Sequence, residues 1–61
     1  MKFIKLKEVL EMTGRSRTGT YDDIALGKFP AQIKVGASSY WLLEEIEAWM
    51  QSQIANRTNG Q

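Results

Sequence analysis

A chain of 61 residues that contains neither cysteine nor histidine must fold around its own small apolar core. No disulfide can form, and the usual cysteine and histidine ligands of zinc are absent. The common pairs of nucleophile and base are missing too, so only carboxylates, lysines, tyrosines and hydroxyl groups remain for chemistry. We therefore expect one small domain with no cofactor and no metal, which is not an enzyme.

The first part of the chain has the periodicity of a short amphipathic helix. Leu6, Val9 and Leu10 fall on one helical face, which predicts a helix over about residues 5–12. A short extended piece that contains Phe3 and Ile4 precedes it.

A second helix is predicted after a turn of three residues, the length used in helix-turn-helix motifs. Gly14 can adopt the left-handed conformation that ends a helix, and Ser16 offers a capping oxygen for the next one. This second helix spans about residues 16–26 and ends at Gly27. Its predicted inward residues are Thr20, Tyr21 and Ile24, with Leu26 near its end.

Beyond the single proline, the apolar period changes from about 3.6 to about 2, which predicts a β-hairpin over residues 33–41. Ile33 and Val35 alternate with polar residues. Residues 36–39 supply a turn before a second strand that contains Trp41.

Helical spacing returns at Leu43 and predicts a last helix over about residues 43–55. Glutamates fill its first turns, where the helix dipole favours negative charge. Residues 56–61 are polar and lack periodicity, so we expect them to fray. The chain is thus divided into a domain over residues 1–55 and a flexible tail over residues 56–61.

The predicted order is helix, turn, helix, hairpin, helix, which is a mainly α fold with a small β-hairpin. A short hairpin is marginal by itself, so Ile33, Val35 or Trp41 must pack on the helices. The predicted helical partners are Leu6, Leu10, Ile24, Ile46 and Trp49.

The charges are unevenly distributed along the chain. Residues 1–40 carry seven cations and four carboxylates, a net charge of +3, whereas residues 41–61 have a net charge of −2. A small-residue turn that leads cations and hydroxyl groups into a helix, as at residues 13–21, is typical of a helix that binds in a DNA major groove. We expect the first two thirds to meet a polyanion and the last helix to face away from it.

Several motifs occur together in one order: the tight turn at 13–18, Gly-Lys-Phe-Pro at 27–30, a hairpin that ends in Trp41, and Glu-x-Glu-Ala-Trp at 45–49. In this combination, residues 3–52 resemble the AlpA family of phage and prophage regulators. That family is similar to small excisionases and to the N-terminal part of MerR-type regulators. The resemblance implies a winged helix-turn-helix that binds double-stranded DNA in transcription or prophage excision.

The resemblance also implies that the second helix, about 16–26, enters the major groove while the hairpin wing, 33–41, touches the backbone. Arginine can form two hydrogen bonds to guanine, and hydroxyl groups reach phosphates or base edges. Ser16 is expected to act above all as a helix cap, and Tyr21 is either a phosphate contact or a half-buried aromatic. Both arginines of the turn are expected on an outer, solvent-facing ridge. The predicted DNA-binding residues are Arg15, Ser16, Arg17, Thr18, Thr20, Tyr21, Lys28, Lys34, Ser38 and Ser39.

Two features depart from that family pattern. The hairpin turn carries no cation where family members commonly have arginine, so its electrostatic contact with phosphates is expected to be weak. Gly19 stands where the family usually has threonine or serine, and Gly19→Ala is predicted to stabilise the free fold. Asp22 and Asp23 would repel phosphates, so we expect them to point sideways or to pair with Lys28 or Arg17.

The leading interpretation is a sequence-specific DNA-binding transcriptional regulator or excisionase-like factor. The alternative is a protein-binding adaptor of the same fold that contacts an integrase, a repressor or RNA polymerase. We expect a monomer in dilute solution that assembles as several copies on adjacent DNA sites. The longest apolar run, 40–43, is far shorter than the ~20 residues of a membrane span, so we expect no membrane partner and a bacterial cytoplasmic location, at the nucleoid when bound.

Overall fold

The computed structural model of the protein describes residues 1–59. Within this range the chain forms three helices and a small antiparallel sheet of three strands. The elements in chain order are β1 (Phe3–Ile4), α1 (Leu6–Thr13), α2 (Arg17–Ala25), β2 (Ile33–Val35), β3 (Ser38–Leu42) and α3 (Leu43–Asn59). The predicted mainly α fold with a β-hairpin, compatible with a winged helix-turn-helix, is confirmed.

The turn between α1 and α2 has the predicted caps. Gly14 is left-handed, with φ 69°, and its N–H donates to the carbonyl of Leu10 at 2.8 Å. Ser16 is the N-cap of α2, and its Oγ accepts the N–H of Gly19 at 3.0 Å. The two caps end one helix and begin the next within three residues, which places α2 directly after α1 in the fold.

The sheet has the strand order β1-β3-β2, so β3 lies between the other two strands. Val35 lies opposite Ser38, which leaves only Gly36 and Ala37 as the turn, and Gly36 has φ 63°. The predicted turn over 36–39 was therefore too long, because a two-residue loop with positive φ closes a hairpin. Sequence periodicity identified the extended piece at Phe3–Ile4 but not its pairing with β3.

The core lies where the sheet meets the helices. Its buried apolar residues are Ile4, Val9, Phe29, Trp41 and Ile46. Trp41 supplies the hairpin's contribution, and its indole N–H donates to the carbonyl of Pro30 at 3.0 Å. Leu6, Ile24 and Trp49 are partly buried against this cluster, as predicted.

Leu26, which was expected to face inward, and Val35, one of the three alternatives for the hairpin's packing residue, are largely exposed. Val35 is 49% exposed because its side chain lies on the opposite face of the sheet from Trp41. Leu26 is 66% exposed, since it follows α2 at the turn that leads to Gly27. Phe29 takes the buried place after this turn, with its ring 4.8 Å from that of Trp49.

The last helix is longer than predicted. α3 continues to Asn59 instead of ending near Ala55, so the boundary drawn at residue 55 falls inside a helix. Residues 56–59 contain neither glycine nor proline, and the positive charge of Arg57 in the last turn interacts favourably with the helix dipole. Gly60 and Gln61, the end of the predicted tail, lie outside the described residues. Among residues 1–59, no helix is long and apolar enough to cross a membrane.

Candidate nucleic-acid interface

One side of α2 faces solvent along its whole length. Residues four apart lie above one another on a helix, so two such rows form a single stripe. Four of its residues are exposed and one, Tyr21, is half-buried. We call this stripe the outer face of α2; it consists of Arg17, Thr18, Tyr21, Asp22 and Ala25.

Arg17 begins this face as the first residue of the helix. Its side chain is exposed, and no residue in the described range 1–59 forms a hydrogen bond or ion pair with it. The exposed hydroxyl of Thr18 follows it. A guanidinium group and a hydroxyl group are thus presented at the N-terminal end of α2, where the helix dipole also favours an anion.

The guanidinium group of Arg15 interacts with other groups of the protein. Its Nη2 forms an ion pair with Asp23 and donates to the carbonyl of Gly19 at 3.3 Å. Its Cζ lies 5.7 Å from the centre of the Trp49 ring. Of the two arginines expected on an outer ridge, only Arg17 is there.

The two aspartates of α2 differ in their surroundings. Asp23 pairs with Arg15, and not with Lys28 or Arg17 as predicted, because it lies on the inner side of α2. Asp22 is exposed on the outer face and remains a source of repulsion for phosphates.

Thr20 and Ser16 have structural roles at the start of α2. Thr20 is fully buried, and its Oγ1 donates to the carbonyl of Ser16 at 2.9 Å. This burial contradicts the predicted DNA contact of Thr20, since the hydroxyl reaches no solvent. Ser16 is exposed and caps the helix, as expected of it above all.

Tyr21 joins the core to the outer face. Its ring lies 6.3 Å from the ring of buried Trp41, and the two ring planes are inclined by 60°. Its hydroxyl has no hydrogen-bond partner within the described residues. Tyr21 is therefore a half-buried aromatic with an unpaired polar tip, and its contact with a phosphate stays a prediction.

The hairpin of β2 and β3, which we call the wing, has two faces with different side chains. Ser39 lies two residues before Trp41, so both point to the face on which Tyr21 packs. Lys34 is paired with Ser39 and belongs to the same face. Ser38 points to the opposite face, beside Val35. Because side chains alternate between the faces of a strand, counting back from Trp41 in the sequence would have placed Ser39 and Ser38 on opposite faces.

Lys28 is exposed in the turn that follows α2, and Trp49 of α3 contacts this turn. Its carbonyl accepts the indole N–H of Trp49 at 2.9 Å, while its ammonium group makes no ion pair among the described residues. Lys34 is likewise exposed and unpaired within that range. The predicted cations therefore separate into three free groups and the paired Arg15.

At the start of α3 one carboxylate is also paired. The N-terminal ammonium lies 2.9 Å from Glu44 Oε2, and this contact is the largest cause that holds the pKa of Glu44 below its ordinary value. The backbone N–H of Glu44 lowers that pKa further. This pairing reduces the negative charge at that end of the helix.

Sequence comparison places these features among phage proteins. Residues 2–54 match the family described as "Prophage CP4-57 regulatory protein (AlpA)". A protein of Enterobacteria phage P4, described as "Uncharacterized protein ORF88", is 38% identical over 60 residues. The aligned part covers 97% of this chain and 68% of the phage P4 protein. The family match contains α1, α2, the wing and most of α3.

Proposed function

Because this chain belongs to the AlpA family of prophage regulatory proteins, we propose that it binds double-stranded DNA sequence-specifically, as a transcriptional regulator or an excisionase-like factor. In this proposal α2 enters the major groove and the wing lies on the DNA backbone. The protein acts in the bacterial cytoplasm, at the nucleoid when bound, and carries out no catalysis.

The observation that carries the proposal is the outer face of α2. An α-helix fits the width of the major groove, and arginine at its start can bind guanine O6 and N7 together. Arg17 is exposed and unpaired among the described residues, and the hydroxyl groups of Thr18 and Tyr21 follow on the same stripe. This combination supplies one cation for a guanine edge or the phosphate next to it, and two hydroxyl groups that can bond to phosphates or base edges.

The wing supports the same orientation. Lys34 and Ser39 share the sheet face on which Tyr21 packs, so the wing presents a cation and a hydroxyl group towards the side of α2. Gly36 and Ala37 form a small, exposed tip. We propose that Lys34 and Ser39 contact the backbone next to the groove that α2 occupies, with Ser38 outside the contact.

Three free cations set the strength of binding. If Arg17, Lys28 and Lys34 each neutralise one phosphate, the slope of log K against log salt is about −2.7. A single copy then binds non-specific DNA only in the range of about 10⁻⁴ to 10⁻⁶ M. Specific action therefore calls for several copies on adjacent sites, or for a partner such as an integrase or RNA polymerase.

The test is a gel shift with mixed genomic fragments in the presence of competitor DNA. Arg17→Ala is expected to abolish the specific shift while circular dichroism and the melting temperature stay unchanged. Arg57→Ala is the matched control, because Arg57 is also exposed but lies in the last turn of α3. Equal loss in both variants would show a general charge effect and contradict readout by α2.

A second candidate function is a protein-binding adaptor. It is favoured by the uncharged tip of the wing and by apolar side chains on the sheet face that points away from the core. Phe3 and Val35 are each 49% exposed on that face. Binding to an integrase, repressor or polymerase that persists at high salt, together with no binding to DNA, would favour the adaptor.

A further inference from the structure

Trp49 of α3 contacts the chain on both sides of α2. Before the helix, the guanidinium of Arg15 lies over its ring. After the helix, its indole N–H donates to the carbonyl of Lys28, and the ring of Phe29 packs edge-on against it. The orientation of α2 on α3 is thus fixed at two attachments, one of which is Arg15.

We propose that Arg15 is a positioning residue that orients the outer face of α2, and that Arg17 alone of the two arginines contacts DNA. This inference rests on the proposed DNA-binding function. Arg15 donates to the carbonyl of Gly19, one helical turn further along the chain, and pairs with Asp23, two turns further along. Its guanidinium carbon also lies over the ring of Trp49. One planar side chain thereby joins the interhelical turn, α2 and α3.

The charge of Arg15 is already compensated within the fold. The side chain of Arg15 is 30% exposed and that of Asp23 is 23% exposed, and they form one ion pair. A cation adds to the salt dependence only when it neutralises a phosphate, and in this proposal the guanidinium group of Arg15 stays paired with Asp23. Arg15 therefore contributes nothing to the salt dependence of DNA binding, whereas Arg17 does.

A guanidinium group suits this position better than an ammonium group. It can bond to a carbonyl and a carboxylate in one plane and stack on an indole ring.

The experiment compares matched variants by fluorescence anisotropy on a bound duplex over a salt series. Arg17→Ala is expected to reduce the salt slope by about 0.9, as the loss of one phosphate contact requires. Arg15→Ala and Arg15→Lys are expected to weaken binding about fivefold or more with the slope unchanged.

The two aspartates give the sharpest contrast. Asp23→Asn removes a negative charge yet is expected to weaken binding, because Arg15 loses its anchor. Asp22→Asn removes the same charge from the outer face and is expected to keep or raise the affinity. Arg15→Ala combined with Asp23→Asn should lose no more than Arg15→Ala alone, since both act through one contact.

The proposal is overturned if Arg15→Ala lowers the salt slope by about 0.9, because Arg15 is then a phosphate contact. It is overturned as well if Asp23→Asn strengthens binding, because the ion pair is then not needed to orient α2. It is also overturned if Arg15→Ala and Arg15→Lys bind as the wild type does. Nuclear magnetic resonance gives a second readout on the free protein. Arg15→Lys should shift the indole N–H of Trp49 and the amides of α2, and unchanged signals contradict a positioning role.

The two proposals fail in different ways. A wild-type protein that binds no duplex at any salt concentration overturns the proposed function, and the resonance shifts of the free protein still decide whether Arg15 orients α2. If Arg15→Ala does not fold, Arg15→Lys and Asp23→Asn carry the comparison, each checked by its melting temperature.

Discussion

Gly19 shows how a close neighbour can reduce the stabilisation expected from helix propensity. Glycine inside a helix costs about 0.5–1 kcal/mol relative to alanine, which is why the sequence predicts that Gly19→Ala stabilises the fold. The structure places Ser16 Oγ 3.1 Å from where the new Cβ would lie. The same oxygen accepts the N–H of Gly19, and losing such a cap costs about 0.5–2 kcal/mol.

A serine cap commonly accepts the N–H of a third helical residue that carries a Cβ, so the Ser16 hydroxyl can give way by a few tenths of an ångström and keep its bond. We therefore expect Gly19→Ala to raise the melting temperature, by less than propensity alone predicts. The control removes the nearby oxygen first: in a Ser16→Ala background, the same substitution should raise the free energy of unfolding by about 0.5–1 kcal/mol, as measured by urea denaturation. A lower melting temperature for Gly19→Ala alone would show that the Ser16 hydroxyl cannot move aside.

Thr18 and Thr20 provide a matched pair of hydroxyl groups on the same helix. Thr20 is buried and bonds to the carbonyl of Ser16, which also accepts the N–H of Thr20 at 3.0 Å. Thr20→Val leaves that carbonyl satisfied and should cost about 1 kcal/mol or less in stability, with DNA affinity unchanged. Thr18→Val should weaken DNA binding with stability unchanged. Anisotropy titrations and thermal melts of both variants check this, and equal affinities would exclude Thr18 from the contact.

At the level of the elements, the two helix caps and the hairpin could be predicted from the sequence, because each depends only on residues that are neighbours in the chain. Gly14 and Ser16 gave the turn, and alternation gave the hairpin. The pairing of β1 with β3 joins residues 3–4 to 41–42 and has no local signal. The bond between Arg15 and Asp23 joins residues eight apart, two turns of α2, and the sequence offered other partners for Asp23 as near as Lys28 and Arg17.

The faces of the wing lead to a prediction about charge. Ser39 shares the sheet face of Lys34, and Ser38 lies on the other face. Ser39→Lys should therefore strengthen DNA binding and make the salt slope steeper by about 0.9, because it adds a phosphate contact beside Lys34. Ser38→Lys adds the same charge and should change the slope less. Equal slopes for the two variants would contradict the proposed docking of the wing.

The start of α3 gives a prediction about pH. The N-terminal ammonium group lowers the pKa of Glu44, so the ionised carboxylate is favoured in the folded state. A depressed pKa contributes stability that is present above the ordinary value of 4.5 and is lost as the pH falls through the folded value. Glu44→Gln should therefore flatten the acid side of the stability profile. Thermal melts between pH 7 and about pH 3 measure it, and identical profiles would show that the pair adds nothing.

For the whole molecule, the small amount of buried apolar surface limits how much free energy of unfolding a substitution can remove before the protein unfolds. Ile4, Val9, Phe29, Trp41 and Ile46 form the buried cluster of a 61-residue chain. A domain of this size is stabilised by only a few kcal/mol. Apart from Tyr21, whose ring packs on Trp41, the DNA-contacting residues proposed here make no contact with that cluster that a substitution would remove, so their variants can be compared without unfolding the protein. Arg15 differs, since it joins the turn to Trp49 and affects both orientation and stability.

The strength of binding predicts how copies of the molecule behave together. The protein is expected to sediment as a 7.0 kDa monomer at micromolar concentration and to bind a single site weakly, because the proposed contact brings three free cations of residues 1–59 to phosphates. On a duplex with two adjacent sites, contact between bound copies makes the second copy bind at a raised effective concentration, so the titration should be steeper than for one site.

Moving the sites apart by half a helical turn, about 5 base pairs, puts the copies on opposite faces of the duplex and should restore independent binding. Analytical ultracentrifugation and anisotropy on the two duplexes measure these effects. If the titrations are identical, each copy acts alone, and the required affinity must come from a partner protein.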